Sequence, residues 1–315
     1  MIDSPPCPAC GETSWRPLGE RTFRRGARVR SAYVRLRLRV LFEVWAPAAA
    51  EVTLRFVLCG RCGLVTYLPR ASADEVDQKY RFLARIEPPR PERRAVRALD
   101  RRRSGELFHW AAAWLPAGGA VLDFGGGNGA LLATFVEHGY RAGVVDYVPH
   151  AVPGVERLGS TLDEVPPEQR FDVVLASHVL EHLAAPVAVL ERLRDRLAPG
   201  GVLVVEVPLE IVGGLPRFEE PVTHVSFFSE DSLSVALERA GLEVLQVGVE
   251  ASTFESGARK LGVRAIARRG SGSARALPGA ARALAWLSAG PLARVVRGAH
   301  ARRIARWLQE RARGR

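Results

Sequence analysis

From residue 120 onward, short runs of branched apolar residues alternate with segments whose apolar positions recur every three to four residues. Ala120-Val121-Leu122-Asp123-Phe124 reads as a buried strand. A glycine-rich turn follows, then a helix carrying Leu131, Leu132, Phe135 and Val136 on one face and ending at Gly139. Ala142–Asp146 and Phe171–Ala176 are the next clear strands. A helix begins near Pro186, with Val189, Leu190, Leu193 and Leu197 inward, and stops at Pro199-Gly200-Gly201. Val202–Val207 is a fully buried strand. Ser229 caps a further helix that ends before Gly241, and Leu242–Val249 with Leu261–Ala267 form a final strand pair. This alternation predicts a doubly wound, Rossmann-like α/β sheet over 120–269.

The flanks read differently. In residues 1–80, Val34, Leu36, Leu38 and Val40 alternate with arginines, and Val52, Leu54, Phe56 and Leu58 continue the pattern past Pro47-Ala48-Ala49-Ala50. Period-two alternation predicts an extended hairpin with one arginine-covered face. That face is either simply solvated or a docking surface for an acidic substrate. Residues 81–119 form a connector and a helix over roughly 92–115. Residues 270–315 form a tail. From Pro291 on, Leu292, Val295, Val296, Ala299, Ile304, Trp307 and Leu308 recur at helical spacing among arginines.

Charge and composition narrow the reading. The chain has 315 residues, is 47% hydrophobic and carries a formal net charge of +11. The tail holds ten arginines against one acid, so nearly all of the excess sits there. The body is therefore not a polycation built to grip nucleic acid. The basic tail is expected to pack on the core or on a second subunit. An anionic membrane surface and RNA are its alternative partners. No apolar run approaches the ~20 residues of a spanning helix, and Met1–Pro6 has no signal-peptide character. The expected location is the cytoplasm.

Asp123-Phe124-Gly125-Gly126-Gly127-Asn128-Gly129 lies at a strand-to-helix junction, where open α/β sheets bind ligands. By pattern alone the loop also fits a dinucleotide fingerprint. Asp123, just ahead of the glycines, suits a ligand with an ammonium group and is awkward beside a pyrophosphate. Asp146, at the end of the next strand, is placed to accept hydrogen bonds from ribose hydroxyls. The third feature is Ser177-His178-Val179-Leu180-Glu181-His182, followed by Ala198-Pro199-Gly200-Gly201.

Residues 121–129, 171–183 and 197–203, with His224–Ser229 and Ala240-Gly241-Leu242, together resemble class I S-adenosylmethionine-dependent methyltransferases. The resemblance implies that Asp123, Gly125, Gly127, Asn128 and Gly129 lie along the methionyl part of the cofactor. It implies that Asp146 binds the ribose, that Tyr147 covers an adenine face, and that Asp163 or Glu164 sits near the adenine. Ala176, Ser177 and His178 would border the methyl-donating sulfur. Asp172 reads as structural. At Gly126, many relatives carry cysteine.

Cys7-Pro8-Ala9-Cys10-Gly11 and Cys59-Gly60-Arg61-Cys62-Gly63 are two C-x-x-C-G knuckles. Two such pairs satisfy a tetrahedral structural zinc, and with four thiolates no position is left for zinc catalysis. Two disulfides are the weaker alternative. The 48 intervening residues exceed the ~15–20 of compact ribbons. A four-cysteine module ahead of such a core resembles a bacterial subset associated with sugar, polysaccharide or secondary-metabolite modification.

The expected activity is methyl transfer to a small molecule or glycan, with His224, His178 and His182 as candidate bases, His224 first. The alternative is an RNA methyltransferase that uses the zinc module and basic tail for RNA binding. A catalytically silent binding protein is a third reading, which the intact glycine loop disfavours.

Overall fold

Branched apolar runs pair in parallel at the centre of the molecule. The computed structural model describes residues 5–86, 94–215, 220–254, 257–270 and 281–288. In chain order the strands are β1 (Trp15–Arg24), β2 (Glu51–Cys59), β3 (Val65–Leu68), β4 (Gly119–Phe124), β5 (Tyr140–Val145), β6 (Val155–Gly159), β7 (Phe171–Ser177), β8 (Leu197–Pro208), β9 (Ser226–Phe227), β10 (Leu242–Thr253) and β11 (Arg259–Arg269). The helices are α1 (Ala32–Val40), α2 (Ala73–Ile86), α3 (Arg94–Ala111), α4 (Ala133–Glu137), α5 (Pro186–Asp195), α6 (Glu230–Arg239) and α7 (Ala281–Ser288).

The large sheet has the order β10-β11-β8-β7-β4-β5-β6. β6, β5, β4, β7 and β8 run parallel, while β11 and β10 are antiparallel. From β4 the chain winds outward through β5 and β6, then returns to β7 on the other side of β4. The order reverses between β4 and β7, and that switch point is where such sheets bind ligands. The expected elements appear here, including α6 with Ser229 as its N-cap and the closing β10–β11 pair. Asp172 is structural, accepting a 2.7 Å hydrogen bond from the Ala120 N–H.

The predicted 34–58 hairpin is corrected. Residues 32–40 are helical, capped by Ser31, whose side chain accepts from the Val34 N–H. Val34, Leu38, Leu41 and Phe42 fall on one buried face, a 3.6 period that the alternating arginines masked. β2 instead pairs with β1, antiparallel along its whole length.

The N-terminal sheet, β1-β2-β3-β9, takes its last strand from beyond residue 220. Thr66 Oγ1 donates to the Val225 carbonyl at 2.7 Å, and Phe56 packs against Tyr67 and Phe227. Arg70, 3% exposed, donates to the Leu183 and Ala184 carbonyls and to Ser226 Oγ. Burial without a carboxylate partner pushes its guanidinium down to about 10. One apolar cluster runs from Cys7 and Phe56 through Leu203 to Trp286. The N-terminal module therefore shares its core with the large sheet. α2 also runs through the expected boundary at residue 80.

The tail helix expected from Pro291 lies outside the described residues. The earlier part of the tail contributes α7, whose Trp286 is buried and donates Nε1–H to Glu230 Oε2 at 2.9 Å. Arg282 sits 3.2 Å from Asp231. Among the described residues, no helix is long and apolar enough to cross a membrane.

Candidate functional site

The glycine loop follows β4, and its backbone is held from both sides. Gly125, Gly127 and Gly129 adopt positive φ. Asp146, just past β5, accepts from the Gly127 N–H and the Val148 N–H, each at 2.9 Å. Asn128 Oδ1 accepts from the Ala130 N–H at 3.2 Å. A Cβ at Gly125 would sit 2.7 Å from Val179 Cγ2. This close approach presses the loop against the turn that follows β7.

Asp123 is the anomaly of the loop. Its side chain is fully buried and neither carboxylate oxygen has a hydrogen-bond partner. Burial, then the nearby Asp146 charge, pushes its carboxyl up to about 7, with Arg103 opposing. A Cβ at Gly126 would lie 2.0 Å from Asp123 Oδ2. The carboxylate therefore occupies the space a side chain at 126 would need, so glycine here is required by this packing as well as tolerated. A buried carboxylate without a partner is costly, and a cationic ligand group removes that cost. The residues present thus fit the ammonium end of S-adenosylmethionine.

Two sequence-predicted cofactor residues are solvent-exposed. Tyr147 is 61% exposed and stacks on Tyr80 of α2 with ring centroids 6.1 Å apart. Asp163 is corrected. It sits on a short 3-10 turn after β6, solvent-exposed and paired with Arg192 of α5. Glu164 instead caps that turn through the Ser160 and Thr161 N–H groups.

Beyond the switch point lies a cleft of about 600 Å³. Tyr33 and Arg37 of α1 form one wall. His178, Glu181 and His182 of the turn after β7 form another. Leu209 and Glu210 after β8, Thr223 and His224, and Phe254 with Lys260 complete it. Tyr33 and Thr223 join their hydroxyls at 2.6 Å across 190 residues of sequence. All three sequence-predicted histidines therefore meet in one place. The sequence reading missed Glu210, Tyr33, Arg37 and Lys260 as cleft residues. The only signal for Glu210 was a charge interrupting an apolar stretch.

Each histidine has its own environment. His178 takes a positive φ of 57°, and its Nδ1 lies 3.2 Å from Glu181 Oε1. Burial opposes its charged form, but Glu181 and Glu206 outweigh burial and raise its pKa. The neighbouring Ser177 donates to Glu206 Oε2 at 2.9 Å. His182 Nδ1 lies 2.6 Å from the Thr223 carbonyl. Burial holds its pKa down to about 4, with Glu181 opposing, so its ring is neutral at pH 7. His224 Nδ1 lies 2.7 Å from Glu210 Oε2. Burial again opposes charge there, and Glu210 more than offsets it, raising the pKa.

The four cysteines converge as the knuckles predict. Gly11 N–H bonds the Cys7 carbonyl and Gly63 N–H the Cys59 carbonyl, which closes both turns. Cys7 and Cys62 sulfurs are 3.6 Å apart and those of Cys10 and Cys59 are 3.4 Å apart. All four lie within 4.8 Å of one another. A tetrahedron of thiolates ~2.3 Å from zinc has edges of ~3.8 Å, so the cluster fits that ion. The four cysteines are free, with no sulfur pair at the ~2.05 Å of a disulfide bond.

Comparison with known proteins agrees with this geometry. Residues 94–247 match the model of a family described as a methyltransferase domain. Ubiquinone biosynthesis O-methyltransferase of Cereibacter sphaeroides is 31% identical over 147 residues, covering 39% of this chain and 60% of that protein. The tRNA U34 carboxymethyltransferase of Chromohalobacter salexigens is 34% identical over 167 residues, covering 43% of this chain and 48% of its own. The chain thus spans between about half and 60% of the length of these relatives. Among solved structures, Burkholderia thailandensis 1,6-didemethyltoxoflavin-N1-methyltransferase is similar over 69% of this chain and 96% of that one, at 21% identity and a TM-score of 0.47. Residues 94–247, just under half of the chain, are thus similar to a methyltransferase domain.

Proposed function

We propose that this chain transfers a methyl group from S-adenosylmethionine to a small-molecule acceptor, a glycan or secondary metabolite among them, bound in the histidine-lined cleft. The observation that carries the reading is the unpartnered, fully buried Asp123 carboxylate beneath a glycine loop that abuts the cleft wall at Val179. When bound, the cofactor supplies a methyl group on a sulfonium, ready for in-line displacement.

The chain's residues position the reactants. Asp123 faces the ammonium group. Asp146 keeps the loop in place through Gly127 and has lone pairs left for ribose hydroxyls. Tyr147 covers an adenine face. Ser177 ends β7 and His178 follows it, at the border between cofactor and cleft. Acceptor and methyl are brought together by the walls of the cleft, which supply proximity and orientation. The acceptor's proton passes to a cleft histidine. His224 is first among them because Glu210 orients its ring and supports the imidazolium. Cys7, Cys10, Cys59 and Cys62 hold one structural zinc, away from the chemistry.

A small acceptor is favoured over RNA by the walled shape of the cleft, which α1 closes from one side. Calorimetry should show binding of S-adenosylhomocysteine and far weaker binding of NAD. Asp146→Ala should weaken it by ~10- to 100-fold, the loss of hydrogen bonds to a charged acceptor. Methyl transfer is then assayed against sugar nucleotides, phenolic hydroxyl acceptors and RNA pools. Absence of S-adenosylhomocysteine binding overturns the reading, and transfer to RNA alone replaces the small-molecule acceptor.

A further inference from the structure

We propose that Glu181, His182 and His224 form a divalent-cation site in the floor of the cleft, distinct from the cysteine cluster. The inference deepens the methyl-transfer reading, since the ion would face the acceptor pocket of that reading.

Three observations carry it. First, one ligand atom from each of these side chains lies within 4.8 Å of the others. Atoms so spaced sit no more than ~2.8 Å from a common centre, so shifts of under ~1 Å bring them to the ~2.1 Å of a metal–nitrogen bond. Second, Glu181 is 1% exposed, and its Oε2 has no hydrogen-bond partner. His178 occupies only the other oxygen. A buried carboxylate oxygen at the edge of a cleft, with nothing to bind, is a ligand position awaiting a cation.

Third, both rings are held as metal-bound histidines are held. Such a ring donates its second N–H to a carbonyl or carboxylate, which fixes tautomer and orientation. His182 presents Nδ1 to the Thr223 carbonyl and His224 presents Nδ1 to Glu210. Each therefore keeps Nε2 as its remaining donor atom. The rings lie 4.7 Å apart at 65°. The holding groups are themselves held, because Glu220 accepts from the Val222 and Thr223 N–H groups and from Thr223 Oγ1.

Two imidazoles and one carboxylate, without sulfur, suit a divalent first-row cation. Three protein ligands leave coordination positions open toward the cleft. An acceptor oxygen bound there would be oriented and made more acidic. In that arrangement His224 is a ligand, and polarisation by the ion takes over the work assigned above to a histidine base. The basic groups around the site are His178, Arg37, Lys79 and Lys260. Burial lowers the Lys79 ammonium to about 7.

The test is a Mn²⁺ titration of the full chain, followed by calorimetry and by the paramagnetic signal of free Mn²⁺. Manganese favours oxygen and nitrogen donors and is a poor competitor for four thiolates. One cleft Mn²⁺ per chain is expected, with at least ~10-fold weaker binding in Glu181→Gln and His224→Ala. Glu210→Gln should weaken it less. S-adenosylhomocysteine affinity, measured on the same samples, reports that the fold and cofactor site are intact. His224 is partly exposed, so its variant keeps the test valid where the buried Glu181 variant misfolds. Wild type that binds S-adenosylhomocysteine but no Mn²⁺ overturns the ion site and leaves the methyltransferase reading standing. Equal Mn²⁺ binding in wild type and His224→Ala also overturns it. Mn²⁺ binding lost in the variants, without any S-adenosylhomocysteine binding in wild type, supports the ion site and removes the methyltransferase reading.

Discussion

The glycine loop and the histidine cleft lie on either side of one switch point, yet they are assembled by opposite means. The loop is a single stretch, 123–129, tied by hydrogen bonds to Val145, Asp146 and Val152 at and after the end of β5. The cleft draws its walls from α1, the turn after β7, the segment after β8, residues 223–224 and the β10–β11 end. The loop presents one buried charge with no partner. The cleft is crowded with titratable groups that partner one another. An invariant cofactor needs one local device. An acceptor of arbitrary shape is met by surfaces that the fold can vary separately.

The largest expected effect tests how far the two regions are joined. Chelation, or Cys59→Ser, should release the zinc proposed for the cysteine cluster, an ion whose binding contributes ~10 kcal/mol or more in zinc modules. Because β3 pairs with β9 and one apolar cluster spans both sheets, the whole chain should melt earlier, in one calorimetric transition. A module that melts alone, leaving the rest of the chain folded, would show that the two sheets do not share one cooperative core.

Asp123→Asn should separate stability from binding. The Asp123 carboxyl is raised in the folded state from 3.8 to about 7. The native form therefore binds the proton more tightly than the unfolded chain, and ligand-free stability falls as pH rises from ~4 to ~7. Three pKa units correspond to roughly 4 kcal/mol at most. The asparagine variant should lose that pH dependence and be more stable than wild type at pH 8 by denaturant titration. Its S-adenosylmethionine affinity should drop by at least ~100-fold. Unchanged affinity would take Asp123 out of the cofactor site.

Trp286→Ala removes a buried indole and its bond to Glu230, at an expected cost of ~3–5 kcal/mol. Truncation after Gly270 should cost at least as much, and should lower stability more than it lowers vesicle or RNA binding. A truncated chain of equal stability that no longer sediments with anionic vesicles would reverse that ranking. The smallest effect belongs to Tyr33→Phe, which deletes the hydroxyl pair with Thr223. About 0.5–1.5 kcal/mol is at stake. It should appear as a raised acceptor KM with cofactor affinity unchanged, because Tyr33 lines the cleft. An equal loss at both sites would erase the contrast between them.

The same contrast explains what could be read in advance. Asp123, the glycines and Asp146 are adjacent or one strand apart, so their spacing singles them out in the sequence, and the resemblance supplies the roles proposed for them. The three histidines were visible as residue types, and the fold brought them together. Tyr33 and Glu210 were not visible, because nothing local ties residue 33 to 223 or 210 to 224. Residues 34–40 were misread because Val34, Leu36, Leu38 and Val40 satisfy period two while Val34, Leu38 and Leu41 satisfy the helical period. The Ser31 cap decides between them. Asp163 was placed by analogy, and the turn that Glu164 caps turns it outward instead.

The pairing of β3 with β9 also sets an order of events at birth. Thr66 meets its backbone partner 159 residues later in the chain. At ~5–20 residues per second of synthesis, the edge of β3 waits about 10–30 s before that partner exists. During this time the strand Val65–Leu68, buried in the finished protein, is an open template for other chains. The N-terminal sheet, first to be made, is among the last to be completed. Slowed synthesis before residue 226 should therefore raise aggregation, a vulnerability that the finished structure conceals.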